Sequence, residues 1–177
     1  MKNRSEPELS RPLRVEKISP NGVEETIIAS VPERKALAER FDLIELTSLT
    51  AKLTVTPKEA GTAFAVTGTL TADVTQRCVA TLEPLPTHIE QPINVFFVTP
   101  GLTDNDASER TMDEDDREPI ENGIINLGEL TAQHLGLSLN PYPRKSGIPP
   151  LEMEFGQPIT ETSPFAKLVV LKDKPER

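Results

Sequence analysis

Leu49-Thr50-Ala51-Lys52-Leu53-Thr54-Val55-Thr56 is the stretch that decides the fold. Four apolar residues of one parity alternate with four polar residues of the other. A period of two marks a strand with one buried and one wet face. A polar turn over residues 57–62 follows, with Pro57 and Gly61 in it. The alternation then resumes, with Phe64, Val66, Leu70, Ala72 and Val74 against Thr67, Thr69, Thr71, Asp73 and Thr75. Threonine suits the wet face, because its branched carbon fits the pleat. Two such runs joined by a short turn predict an antiparallel hairpin. A third run, residues 88–98, puts Ile89, Ile93, Val95 and Phe97 on one parity. Pro92 within it predicts an edge strand or a bulge, since proline cannot donate to a ladder.

Upstream, residues 13–18 and 23–29 read as two short strands, with Pro20, Asn21 and Gly22 as the turn between them. Ser30 and Glu33 have capping-box spacing, and Pro32 stands in the first turn. Leu37, Ala38 and Phe41 then share a face, so the spacing predicts a helix over 32–41. Downstream, residues 120–125 read as a short strand interrupted by Asn122 and Gly123. Asn126 and Glu129 repeat the capping spacing, and Leu127, Leu130, Leu135, Leu137 and Leu139 form a wide apolar stripe over 127–139. Pro141 ends that helix. A last helix is predicted from Ser163 and Pro164, with Phe165, Leu168 and Val169 on one face.

Leu, Ile, Val and Phe make up about 27% of the 177 residues. Disordered chains usually fall below about 20% on that count, so a core is expected. The 17 prolines argue against a helical bundle. Aromatic residues are 4%, with no Trp, too few for a base-stacking nucleic-acid binder. The net charge of -9 disfavours broad phosphate binding and leaves no DNA-binding signature. One cysteine precludes an internal disulfide and permits a reducing compartment. The polar N-terminus has no signal-peptide core, and no apolar stretch reaches ~18 residues, so no membrane span is expected.

Most of the negative charge lies between residues 101 and 121, where nine carboxylates meet only two arginines. Such a run reads first as a solvated, mobile loop, at about 101–119, too poor in apolar groups to offset ordering entropy. Its sharper reading is a dock for a basic protein, centred on Asp113, Glu114, Asp115 and Asp116.

Little in the chain carries chemistry. Cys78, His88 and His134 are too few and too scattered for a zinc site, which needs three or four ligands. Cys78 continues the inward parity of Leu70 and Val74 and reads as a small core hydrophobe, with a reactive thiol or a vestigial ligand as the lesser reading. No phosphate loop and no nucleophile elbow occur. Catalytic, cofactor-binding and metal residues are therefore read as none. One further feature is Asn140-Pro141-Tyr142-Pro143-Arg144-Lys145, which joins the chain's single Tyr to rigid prolines and two cations. An aromatic residue beside Arg is a common binding anchor. Equally, Tyr142 could pack on the preceding helix while Arg144 caps its carbonyls.

The order of these segments resembles a known family. Thr75-Gln76-Arg77-Cys78-Val79-Ala80-Thr81-Leu82-Glu83-Pro84 follows two strands. After the acidic run comes Ile120-Glu121-Asn122-Gly123-Ile124-Ile125-Asn126-Leu127-Gly128-Glu129-Leu130, then Leu139-Asn140-Pro141-Tyr142-Pro143-Arg144. Ser163-Pro164-Phe165-Ala166-Lys167-Leu168 stands near the end. This resembles the bacterial YceD family, the large ribosomal RNA subunit accumulation proteins, over roughly residues 13–172. The resemblance implies a cytoplasmic protein needed for accumulation of large-subunit (23S) ribosomal RNA, with no known catalytic activity. Many members carry Cys-x-x-Cys in the first segment and a His/Cys pair in the later one, which suggests a metal site. Here Cys78 matches the first Cys, Thr81 replaces the second, and residues 141–147 hold no His or Cys. That site is not carried over.

The expectation is one α+β domain over 1–177, with a Pro-rich segment at 141–150. A mostly antiparallel sheet or partly closed barrel is covered by two or three short helices. The expected function is non-enzymatic ribosome biogenesis by a monomer. Its partner is a ribosomal RNA precursor or a basic large-subunit ribosomal protein. The alternative is a general interaction module binding a basic client through the acidic loop. Residues 113–116 are the favoured contact, because their charge excess departs furthest from an average surface. Tyr142, Arg144 and Lys145 are the other candidates.

Overall fold

The computed structural model describes residues 7–100 and 117–147. The chain divides after Lys145 into units 1–145 and 146–177, and every described strand and helix belongs to the first unit. The acidic positions 113–116, residues 148–150 of the Pro-rich segment and the helix expected from Ser163 lie outside the described residues.

The fold is α+β. Three long strands, β3 (Glu45–Lys58), β4 (Ala63–Arg77) and β5 (Pro84–Val98), form an antiparallel meander. β2 (Val23–Ile28) flanks β3, and β6 (Arg117–Pro119) runs parallel beside the end of β5. The resulting five-stranded sheet is open, with order β2-β3-β4-β5-β6. β1 (Pro12–Arg14) and β7 (Ile124–Asn126) pair antiparallel as a separate ribbon. Two helices complete the unit, α1 (Val31–Arg40) and α2 (Leu127–Ser138).

The period-two reading holds residue by residue. Leu49, Ala51, Leu53 and Val55, with Phe64, Val66, Leu70, Ala72 and Val74, are all buried in one core. Ile89, Ile93 and Phe97 extend it across β5, while Leu37 of α1 and Leu127, Leu130 and Leu135 of α2 cover it. Leu9, ahead of β1, is fully enclosed and joins the same core. On β4, a Cβ at Gly68 would collide with the Lys52 carbonyl oxygen. The two strands approach too closely there for any side chain.

β5 is an edge strand along most of its length, as Pro92 suggested, and its register with β4 contains no bulge. The proline spacing explains why. Thr99 donates to the Thr62 carbonyl on the β4 side, whereas the Val98 carbonyl accepts from Ile120 on the β6 side. Even-numbered residues of β5 therefore aim their backbone groups away from β4. Pro84, Pro86 and Pro92 are all even-numbered, so each removes a donor from the open edge and discourages pairing with another chain.

Three boundaries differ from expectation. Residues 15–17 form a short 3-10 turn instead of continuing a strand, and β1 pairs with β7, not with β2. The turn breaks the extended path, so the two early strands cannot form a hairpin. The acidic segment ends earlier than expected, because Arg117 already enters β6 and bonds Glu59 at 3.1 Å. Strands β3, β4 and β5 are also longer than their alternating cores.

Both helix caps form as their spacing required. Glu33 reaches back to the Ser30 amide at 2.7 Å, and Asn126 Oδ1 accepts the Glu129 amide at 3.3 Å. The Glu33 carboxylate closes a full capping box, whereas Glu129 caps through its amide alone, and both carboxylates meet arginines. Arg11 grips Glu33 at 2.7 and 3.1 Å, and Arg40 bridges Glu129 and Glu8.

Candidate interaction surface

The β4–β5 connection is a tight loop over residues 78–83. Cys78 donates its amide to the Glu83 carbonyl, and Leu82 donates back to the Cys78 carbonyl, each at 2.9 Å. Closing so short a loop forces Leu82 to φ +61°, rare for a bulky residue. Leu82 and Val79 are left projecting into solvent.

The segment after α2 folds back on this loop. Gln76, buried on β4, donates Nε2 to the Asn140 carbonyl at 2.9 Å. Val79 donates its amide to the Pro143 carbonyl at 2.9 Å. Asn140 Oδ1 accepts the Tyr142 amide, which turns the chain so that the Tyr142 side chain is 76% exposed instead of packing on α2. Lys145 Nζ lies 2.7 Å from Glu83 Oε2. The structure thus brings Tyr142, Arg144 and Lys145 beside Val79, Leu82 and Arg77. Only Gln76, a polar residue at an inward position, signalled this clip in the sequence.

Cys78 is fully buried, as its parity required, at the end of β4 beyond the main apolar cluster. The Thr81 amide lies 3.4 Å from its sulfur. The Thr81 hydroxyl, first, then the backbone amides of Lys145, Thr81 and Ala80 pull the thiol down to about 6, against a weaker opposing push from burial. Hydrogen bonds from N–H and O–H donors favour the thiolate over the thiol. The core reading thus had the burial right, and the hydrogen-bond donors around the sulfur add to it. A strand parity cannot show which groups lie beyond the strand's end.

These donors also test whether the site suits a metal. Thr81 stands where a second thiolate would be needed and donates to the sulfur instead. Among the described residues no three His, Cys, Asp or Glu side chains are grouped to hold an ion. The described residues around Cys78 do not fit a metal.

His88 and His134 lie apart. His134 is half-buried on α2. His88 is exposed, with Nδ1 2.7 Å from Asp73 Oδ1, while Ser48 donates to Asp73 Oδ2 at 2.7 Å. These two bonds, His88 first, hold the Asp73 carboxyl below its usual range. The sequence reading missed this cluster, because the three residues meet only across strands. Its carboxylate sits between hydroxyl and imidazole, so the imidazole does not reach the hydroxyl as it would in a Ser-His-Asp triad.

Residues 66–172 match the family described as large ribosomal RNA subunit accumulation protein YceD. The chain belongs to the YceD family. The match spans more than half the chain and contains both the β4–β5 loop and the strap over residues 140–145. No curated protein and no solved structure matches the chain. The family's description names an accumulation factor for large-subunit ribosomal RNA and no enzymatic reaction. No described helix is long and apolar enough to cross a membrane.

Proposed function

We propose that this protein is a non-enzymatic, cytoplasmic factor in ribosome biogenesis that supports accumulation of large-subunit ribosomal RNA. Its contact surface is the patch built by the β4–β5 loop and residues 140–145. The observation that carries this reading is the coincidence of the patch with the family match. Both halves of the patch lie inside residues 66–172, and the Val79–Pro143 bond holds them together.

A pre-ordered patch loses little side-chain entropy on binding. Tyr142 supplies an exposed aromatic face, and Arg77, Arg144 and Lys145 supply charge opposite to the chain's average. Contact with a large-subunit precursor is therefore local, not spread over the surface. The protein acts as a monomer. Asp113, Glu114, Asp115 and Asp116 are the rival contact, suited to a basic ribosomal protein. Co-sedimentation with large-subunit precursors in cell extract tests the reading. Absence of the protein from every precursor fraction would overturn it.

A further inference from the structure

A second surface lies between α1 and the start of β3. β2 ends at Ile28, and the Ala29 amide makes the last bond to β3, at the Leu49 carbonyl. The chain then turns at Ser30 into α1. Residues 45–48 of β3 thus continue beyond the end of β2, and Glu45, Leu46 and Ser48 pair with β4 alone. Between this free edge and α1 lies a cavity of about 300 Å³. Its helical wall is Val31, Arg34, Lys35 and Ala38, a stripe at one, four, five and eight along the helix. Its other wall is Ile44, Glu45, Leu46 and Thr47.

Three properties of this groove point the same way. Val31 and Ile44 are 69% and 43% exposed, so apolar surface faces water on both walls. Ala38 is small and leaves depth between them. Thr47 is the extra residue of a bulge between Leu46 and Ser48, with no partner in the β4 register and none in β2. The charge is inverted relative to the chain. Arg34 and Lys35 face Glu45 alone, in a protein of net charge -9.

We propose that this groove docks an extended, acidic segment of another protein, with alternate apolar side chains seated over Ala38. Strand-like segments bind such helix-and-edge grooves through backbone bonds, while alternate side chains fill the pocket. Arg34 and Lys35 select carboxylates on the solvent side of the bound segment. Arg34 also donates to the Ala29 carbonyl at 2.8 Å, which fixes its position at the head of the groove. RNA suits the site less well, because no aromatic ring stands among the described lining residues to stack a base.

The test uses the full chain, isotope-labelled, and two six-residue peptide probes. One alternates Val with Asp, the other Val with Lys. The Val/Asp peptide should shift the amides of Glu45, Leu46, Thr47 and Lys35 saturably, and the Val/Lys peptide should not. Lys35→Glu should raise the Kd about fivefold, the weight of one exposed ion pair. Ala38→Leu fills the groove without touching charge and should also weaken binding. It decides the matter if Lys35→Glu disturbs the fold. No saturable shift, equal binding of both peptides, shifts mapping elsewhere, or the same shifts with oligouridylate would each overturn the proposal.

Discussion

The amide of Val79 donates to the carbonyl of Pro143 at 2.9 Å, across 64 positions of sequence. That one bond turns an ordinary hairpin loop and a proline-rich tail into a single surface. It sets Tyr142 and Lys145 beside Leu82 and Glu83, so changes on either side of the clip act together.

Charge reversal separates the two candidate contacts. Arg144→Glu with Lys145→Glu should abolish association with large-subunit precursors. Neutralising Asp113, Glu114, Asp115 and Asp116 should leave it intact. The charge-reversed variant should melt near wild type, since the Lys145–Glu83 pair is exposed and screened by solvent. Salt weakens either contact and cannot decide between them. Loss of association only in the neutralised variant would assign the contact to the acidic run.

Cys78 should give the protein a pH-dependent stability of defined sign. Its folded value is about 6, below the ordinary 9.0. The stabilisation is therefore full above the ordinary thiol value and lost as pH falls through about 6. Between those limits stability rises with pH, because the unfolded chain binds the extra proton. Cys78→Ala should flatten that slope in denaturant titrations. Thiolate absorbance near 240 nm, titrating close to pH 6 in the native protein, checks the same point. A midpoint near 9 would show that the donors do not hold a thiolate. Elemental analysis should find no stoichiometric zinc, and a chelator should leave melting unchanged.

Glu33 carries a pH dependence in the acid range. Its bond to Arg11, first, and its bonds from Ser30 hold the carboxyl at about 2, against 4.5 ordinarily. Stability from this group is present above about 4.5 and is lost as pH falls toward 2. Glu33→Gln should cost about 1 kcal/mol at neutral pH, the scale of a lost cap and a largely solvated ion pair. Urea titrations at pH 7 and pH 3 should show the gap closing on acidification.

Gly68→Ala should destabilise without altering any functional group. The new Cβ meets the Lys52 carbonyl oxygen, which is backbone and cannot rotate away. Overpacking of this kind costs about 1–3 kcal/mol, occasionally more. A denaturation midpoint unchanged from wild type would mean the strands separate there at no cost.

The sequence by itself determined the meander, both helices and the inner face of the sheet. Alternation over Leu49–Thr56 and Phe64–Thr75, and the caps at Ser30 and Asn126, are local signals read from neighbouring residues. Pro92 likewise announced its edge, because a missing donor is a property of one residue. Family membership was legible too, in the order of blocks around Cys78, Ile120 and Asn140. The pairing of β1 with β7, the fold-back of Pro143 onto Val79, and the Asp73–His88–Ser48 cluster were decided only by the tertiary structure. Each joins residues far apart in the chain, and no local period encodes which distant segment will arrive. Cys78 shows the division within one side chain. Parity along β4 put it inside, but only the loop and the strap that close over its sulfur supplied the hydrogen bonds that favour the thiolate.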